Sequence, residues 1–109
     1  MNDTATHVMP PLDGAKAEQM IGKVVLVGVT RYGGDGQVQG LQQYAGRVLR
    51  ISFDEGVVLA DDVDGHERYL PPMLDNYMAA EPGEYRLLST GATVVDPDYV
   101  VTWDVHARQ

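Results

Sequence analysis

The run Val24-Val25-Leu26-Val27-Gly28-Val29, carried on through Tyr32 and closed by Gly33-Gly34-Asp35-Gly36, constrains this chain more than any other segment. Its residues are β-branched and apolar on both alternating faces, the pattern of a strand covered by protein on both sides. Asp35-Gly36 supplies the positive φ that a tight hairpin turn requires before the chain re-enters a strand at Val38. The chain is therefore expected to fold as strands joined by turns around a buried first strand.

The rest of the sequence repeats that grammar. Gln37 to Tyr44 reads as a polar partner strand. Arg47 to Phe53 reads as a third, with Leu49, Ile51 and Phe53 on one face and Gly46 marking a bulge or corner between the two. Asp54-Glu55-Gly56 turns into Val57 to Asp61, and Asp64-Gly65 turns into His66 to Leu70. Pro71-Pro72 stops the sheet, since neither residue donates a ladder hydrogen bond, and Pro72 suits the first position of a helical turn through Ala80. Leu74, Tyr77 and Met78, at i, i+3 and i+4, then form the apolar stripe of a plug over one end of the sheet. Tyr85 to Ser89 and Ala92 to Val95 flank Thr90-Gly91 as a hairpin. In the last strand, Tyr99 to His106, the face carrying Tyr99, Val101, Trp103 and Val105 is expected to point inward. Asp13 caps a short helix through Met20 that ends at Gly22. Six or seven strands spaced about 8 to 12 residues apart indicate a mainly β chain. The expected form is a small antiparallel, partly open SH3-like barrel with one or two short helices.

Length and charge narrow the classes of function. At 109 residues the chain has room for one domain, expected over 12–109, behind a flexible tail at 1–11 that holds Pro10-Pro11 and no periodicity. Sixteen Asp and Glu against eight Lys and Arg give a net charge of −8. With the cations scattered and no basic stripe, a phosphate backbone would be repelled, which argues against nucleic acid as a partner. The same field would steer a basic protein, so an acidic antagonist of such a partner is a further reading. There is no cysteine, hence no disulfide, thiolate nucleophile or cysteine-based metal site. Neither an apolar leader nor a membrane-length run is present, and a cytoplasmic location is expected.

Motifs that resemble chemistry fail on spacing. Asp62-Val63-Asp64-Gly65 resembles the centre of a calcium loop, but the loop's first and last carboxylates would fall on Ala60 and Pro71. His66-Glu67 begins like a zinc-protease helix, yet Leu70 replaces the second histidine and a strand would throw the pair to opposite faces. Gly34-x-Gly36 with Gly40 misses the dinucleotide spacing and sits between strands. Ser52 and Ser89 lie in no nucleophile elbow, and His7, His66 and His106 have no spacing that pairs with them. No catalytic residue, metal site or cofactor is expected. Six tyrosines against one Phe and one Trp favour a contact surface, because amphipathic rings give large area at low entropy cost.

Ile21-Gly22-Lys23-x-Val25-Leu26-Val27-Gly28, Leu70-Pro71-Pro72, Pro82-Gly83-Glu84-Tyr85-Arg86-Leu87, Ser89-Thr90-Gly91 and Asp96-Pro97-Asp98-Tyr99 through Trp103 together resemble a small family of uncharacterised bacterial proteins. The resemblance covers about Ile21 to Val105 and implies a bacterial β-rich domain with no catalytic assignment to carry over. The function expected is a non-enzymatic module that binds a protein partner or a second copy of itself through tyrosines or through a free edge at Gln39 to Gln43. The alternative is a small-molecule binder or enzyme with a pocket at the barrel mouth, lined by Tyr69, Tyr85, Arg86 and Trp103.

Overall fold

Asp13 opens the structure as the expected cap. Its side chain accepts from the Lys16 N–H at 3.1 Å, and helix α1 runs over Gly14–Met20. The computed structural model describes residues 13–107, so the tail expected at 1–11 lies outside the described residues. Eight strands follow: β1 (Val24–Tyr32), β2 (Val38–Ser52), β3 (Gly56–Asp61), β4 (Glu67–Leu70), β5 (Met78–Ala79), β6 (Glu84–Arg86), β7 (Thr93–Val95) and β8 (Tyr99–His106). The fold is mainly β. No helix among the described residues is long and apolar enough to cross a membrane.

Six strands form one sheet in the order β4-β3-β2-β1-β8-β5, and β6 pairs with β7 separately. The sheet is mixed, which corrects the expected antiparallel arrangement: β8 lies parallel to β1, with Val25 opposite Tyr99 and Tyr32 opposite His106. Turn residues reveal only strands joined by a tight connection. The β1–β8 pair joins residues 74 positions apart, far beyond any local signal. The ladder does not close, since β4 and β5 are its two edges. It curls all the same. Val25, Val27 and Val29 of β1, Val48 of β2, Val57 and Leu59 of β3, Leu70 of β4 and Val101 of β8 share one core with Met20 of α1, Leu74 and Tyr77.

The segment after Pro71-Pro72 corrects the helical plug in part. Only one 3₁₀ turn forms, Leu74–Asn76, and the chain then extends into β5 beside β8. Leu74 and Tyr77 are buried as expected, whereas Met78 is 61% exposed, because an extended chain alternates faces where a helix would have kept Met78 beside Leu74. The Tyr77 hydroxyl donates to the Pro71 carbonyl at 2.9 Å, tying both ends of the plug together.

Strand β2 is one continuous 15-residue element, and its irregularity falls between Val48 and Arg50 instead of at Gly46. That shift corrects the expected inward face in part: Ile51 packs on the core as expected and Val48 is buried, while Leu49 and Phe53 are 42% and 45% exposed. Gly46 serves close packing, since a Cβ there would sit 2.6 Å from the Ala60 carbonyl oxygen. On the opposite side of the sheet, Leu26 and Ala45 pack against Leu87 and Val94 of the β6–β7 hairpin, so β1 is apolar on both faces because both are covered.

Candidate functional site

The plug closes the gap between β4 and β8 at one end only. At the other end a cleft of about 380 Å³ opens, lined by Val29 and Arg31 of β1, Gln42 and Tyr44 of β2, Arg68, Tyr69 and Leu70 of β4, Pro71, and Trp103, Asp104 and Val105 of β8. Tyr69 and Trp103 are thus brought to one cleft at the mouth of the curled sheet. Tyr85 and Arg86 stand elsewhere, on β6. Tyr85 packs with the Leu26–Val94 cluster and its hydroxyl donates to the Glu81 carbonyl at 2.6 Å, and Arg86 is exposed with no ion pair among the described residues.

The β8 wall of the cleft is a free edge. Alternate residues of a strand direct their backbone N–H and C=O to opposite neighbours. The Ala107 N–H donates to the Tyr32 carbonyl, which places Val101, Trp103 and Val105 toward β1 and Val100, Thr102, Asp104 and His106 away from it. Strand β5 reaches only to Val100. The backbone groups of Thr102 and Asp104 therefore have no partner among the described residues. The β4 wall is equally open: the Asp61 N–H donates to the His66 carbonyl, so Arg68 and Leu70 face β3 while Glu67 and Tyr69 face outward.

The edge expected at Gln39 to Gln43 is partnered at Gln43. The Gln43 N–H donates to the Ser89 hydroxyl at 3.0 Å, its side-chain carbonyl accepts from the Leu88 N–H, and the Ala45 carbonyl accepts from Asp62. Leu41 keeps backbone groups that face outward without a partner among the described residues, beside a second groove of about 370 Å³ under the β6–β7 loop.

Aromatic and cationic groups furnish the cleft floor. Trp103 stands edge-on to Tyr77, with ring centroids 5.9 Å apart, and its indole N–H is enclosed without an acceptor among the described residues. Leaving such a donor unmade costs about 1–3 kcal/mol. Arg68 lies 5.5 Å from the centre of the Tyr44 ring and is held by Asp61 at 3.0 Å and Asp64 at 3.4 Å. Burial pushes the Tyr44 phenol up, and nearby Asp61 adds to the effect while Arg68 opposes it. Burial also pushes the Asp61 carboxyl up, but the Val63 N–H and the Arg68 guanidinium outweigh it and hold that carboxyl below its ordinary value. Outside the cleft, Arg50 grips Glu55 at 2.8 Å and Glu67 at 3.0 Å, which holds both carboxyls below their usual values.

Sequence reasoning reached Tyr69 and Trp103 but missed Tyr44, Arg31, Arg68 and the open backbone of β8. Arg31 continues the alternation of Val25, Val27 and Val29, and Arg68 that of Leu70, so parity placed both on the inner face; which edges stayed free was not legible. Comparison with protein-family models, with curated proteins and with solved structures finds no match for this chain.

Proposed function

We propose that the chain is a non-enzymatic binding module that takes an extended segment of a partner protein along the free edge of β8, as an added strand in the gap facing β4. The observation that carries this reading is the row of unpartnered backbone groups at Thr102 and Asp104 beside an aromatic cleft. Main-chain pairing along such a row supplies affinity, and side-chain pockets on one face supply selectivity. On this reading the curled sheet behaves as a partly open SH3-like barrel whose seam receives the partner. A bacterial, cytoplasmic setting accompanies the proposal, on the resemblance and on the absence of cysteine.

A random dodecamer peptide library selected against the protein tests it. Selected peptides are expected to slow amide exchange at Thr102 and Asp104, and Asp104→Pro, which removes an outward-facing donor from an edge strand, is expected to keep the fold and lose binding. Peptides that bind Asp104→Pro as well as the wild type would overturn it.

The size of the cleft favours a second reading, a small apolar ligand, since about 380 Å³ lies within the range of roughly 300–1,000 Å³ usual for such sites. A ligand of that kind would perturb Trp103 fluorescence and leave the β8 amides unprotected.

A further inference from the structure

The inner face of the cleft holds two guanidiniums, Arg68 neutralised by Asp61 and Asp64, and Arg31 with no carboxylate partner among the described residues. The chain carries −8. Yet the inward-facing residues at the open end are Val29, Arg31, Gln42, Tyr44, Arg68, Leu70, Trp103 and Val105, which include two guanidiniums and no carboxylate. Asp104 borders the cleft from a neighbouring position of β8, where side chains alternate to the other face, and Glu67 lies outside it, held by Arg50. Arg68 is engaged by Asp61 and Asp64. Arg31 is exposed and has neither an ion pair nor a side-chain hydrogen bond among the described residues, although Asp and Glu outnumber Lys and Arg two to one.

Resting on the strand-addition reading above, we infer that the cleft selects an extended segment that presents a carboxylate inward, between apolar side chains, to Arg31. A strand added outside β8 lies two strand spacings, about 10 Å, from β1. An arginine and a glutamate reaching toward each other span that distance. The apolar positions two residues before and after the acid, which share its face, would then rest on Trp103 and Val105 on one side and Leu70 on the other. The overall negative field disfavours acidic segments at long range, so discrimination arises only on contact, where the Arg31 charge is felt.

Acetylated, amidated decapeptides of alternating Val and Thr, with one central inward position set to Glu, Gln or Lys, test the inference. Binding is read from the fluorescence of Trp103, the single tryptophan. The Glu peptide is expected to bind on the order of tenfold more tightly than the Lys peptide, with Gln between them. Arg31→Ala should level the three, Arg31→Lys should keep their order, and raised salt should shrink the spread. Equal binding of all three to the wild type, with Asp104→Pro still abolishing it, would overturn this inference and leave strand addition standing. Failure of all three to bind would overturn both.

Discussion

Asp61 shows how one buried carboxylate can organise a turn. It is 6% exposed, and its two oxygens accept from the Val63 N–H and the Arg68 guanidinium, so it fixes both the β3–β4 turn and the arginine at the cleft floor. Its folded value lies below the ordinary one, so the stability it contributes is complete above the unfolded value of about 3.9 and is lost as pH falls through the lower folded value. Melting temperature measured against pH should therefore fall below about pH 4 in the wild type and fall less steeply in Asp61→Asn. At neutral pH that variant should lose about 1–3 kcal/mol in urea unfolding, because Arg68 loses its main partner. That Asp61 is the buried acid was not legible in the sequence, where it is one of four acids between Asp61 and Glu67.

Among the elements, glycines separate turns that need only positive φ from turns that also need space. Gly65 has φ +75° with open space where a Cβ would stand, and Gly56 has φ +83° with the Leu70 carbonyl in that place. Gly65→Ala should cost about 1–2 kcal/mol. Gly56→Ala should cost on the order of 3 kcal/mol or prevent folding, as the β3–β4 pair must part to admit the methyl. Chemical denaturation of the two variants checks the contrast, and equal losses would refute the crowding argument. Both turns were readable from Asp-Glu-Gly and Asp-Gly, as were α1, β1 and β8, because local chemistry decides them. The plug and β2 were legible only in part, through Leu74, Tyr77 and Ile51. Stripe and alternation there depend on where the backbone changes from helical to extended at Tyr77, or slips register at Leu49, and packing against β8 and β3 decides both.

For the whole molecule, two clusters of unequal size imply unequal local stability. The core shared by α1, β1–β4, β8 and the plug contains Val25, Val27, Val57, Leu59 and Tyr77, each with no exposed surface. The β6–β7 hairpin is held by Leu87 and Val94 against Leu26 and Ala45, with three residue pairs in its ladder. Amide exchange should be slowest in β1 and β3 and markedly faster in β6 and β7, with the hairpin opening before the sheet does. Uniform protection across both would show a single cooperative unit instead.

Local chemistry by itself determined that this chain is strands and turns with a two-faced central strand, because β-branched alternation and glycine or proline punctuation act over a few residues. Tertiary structure alone decided that β8 returns parallel to β1, that Ser89 partners the Gln39–Gln43 edge at Gln43 while the β8 edge stays open beyond Val100, and that Arg31, Tyr44, Arg68 and Trp103 meet at one cleft. Those outcomes depend on which distant segments bury each other's apolar faces, and pairing across 74 residues leaves no trace in the neighbours of either strand.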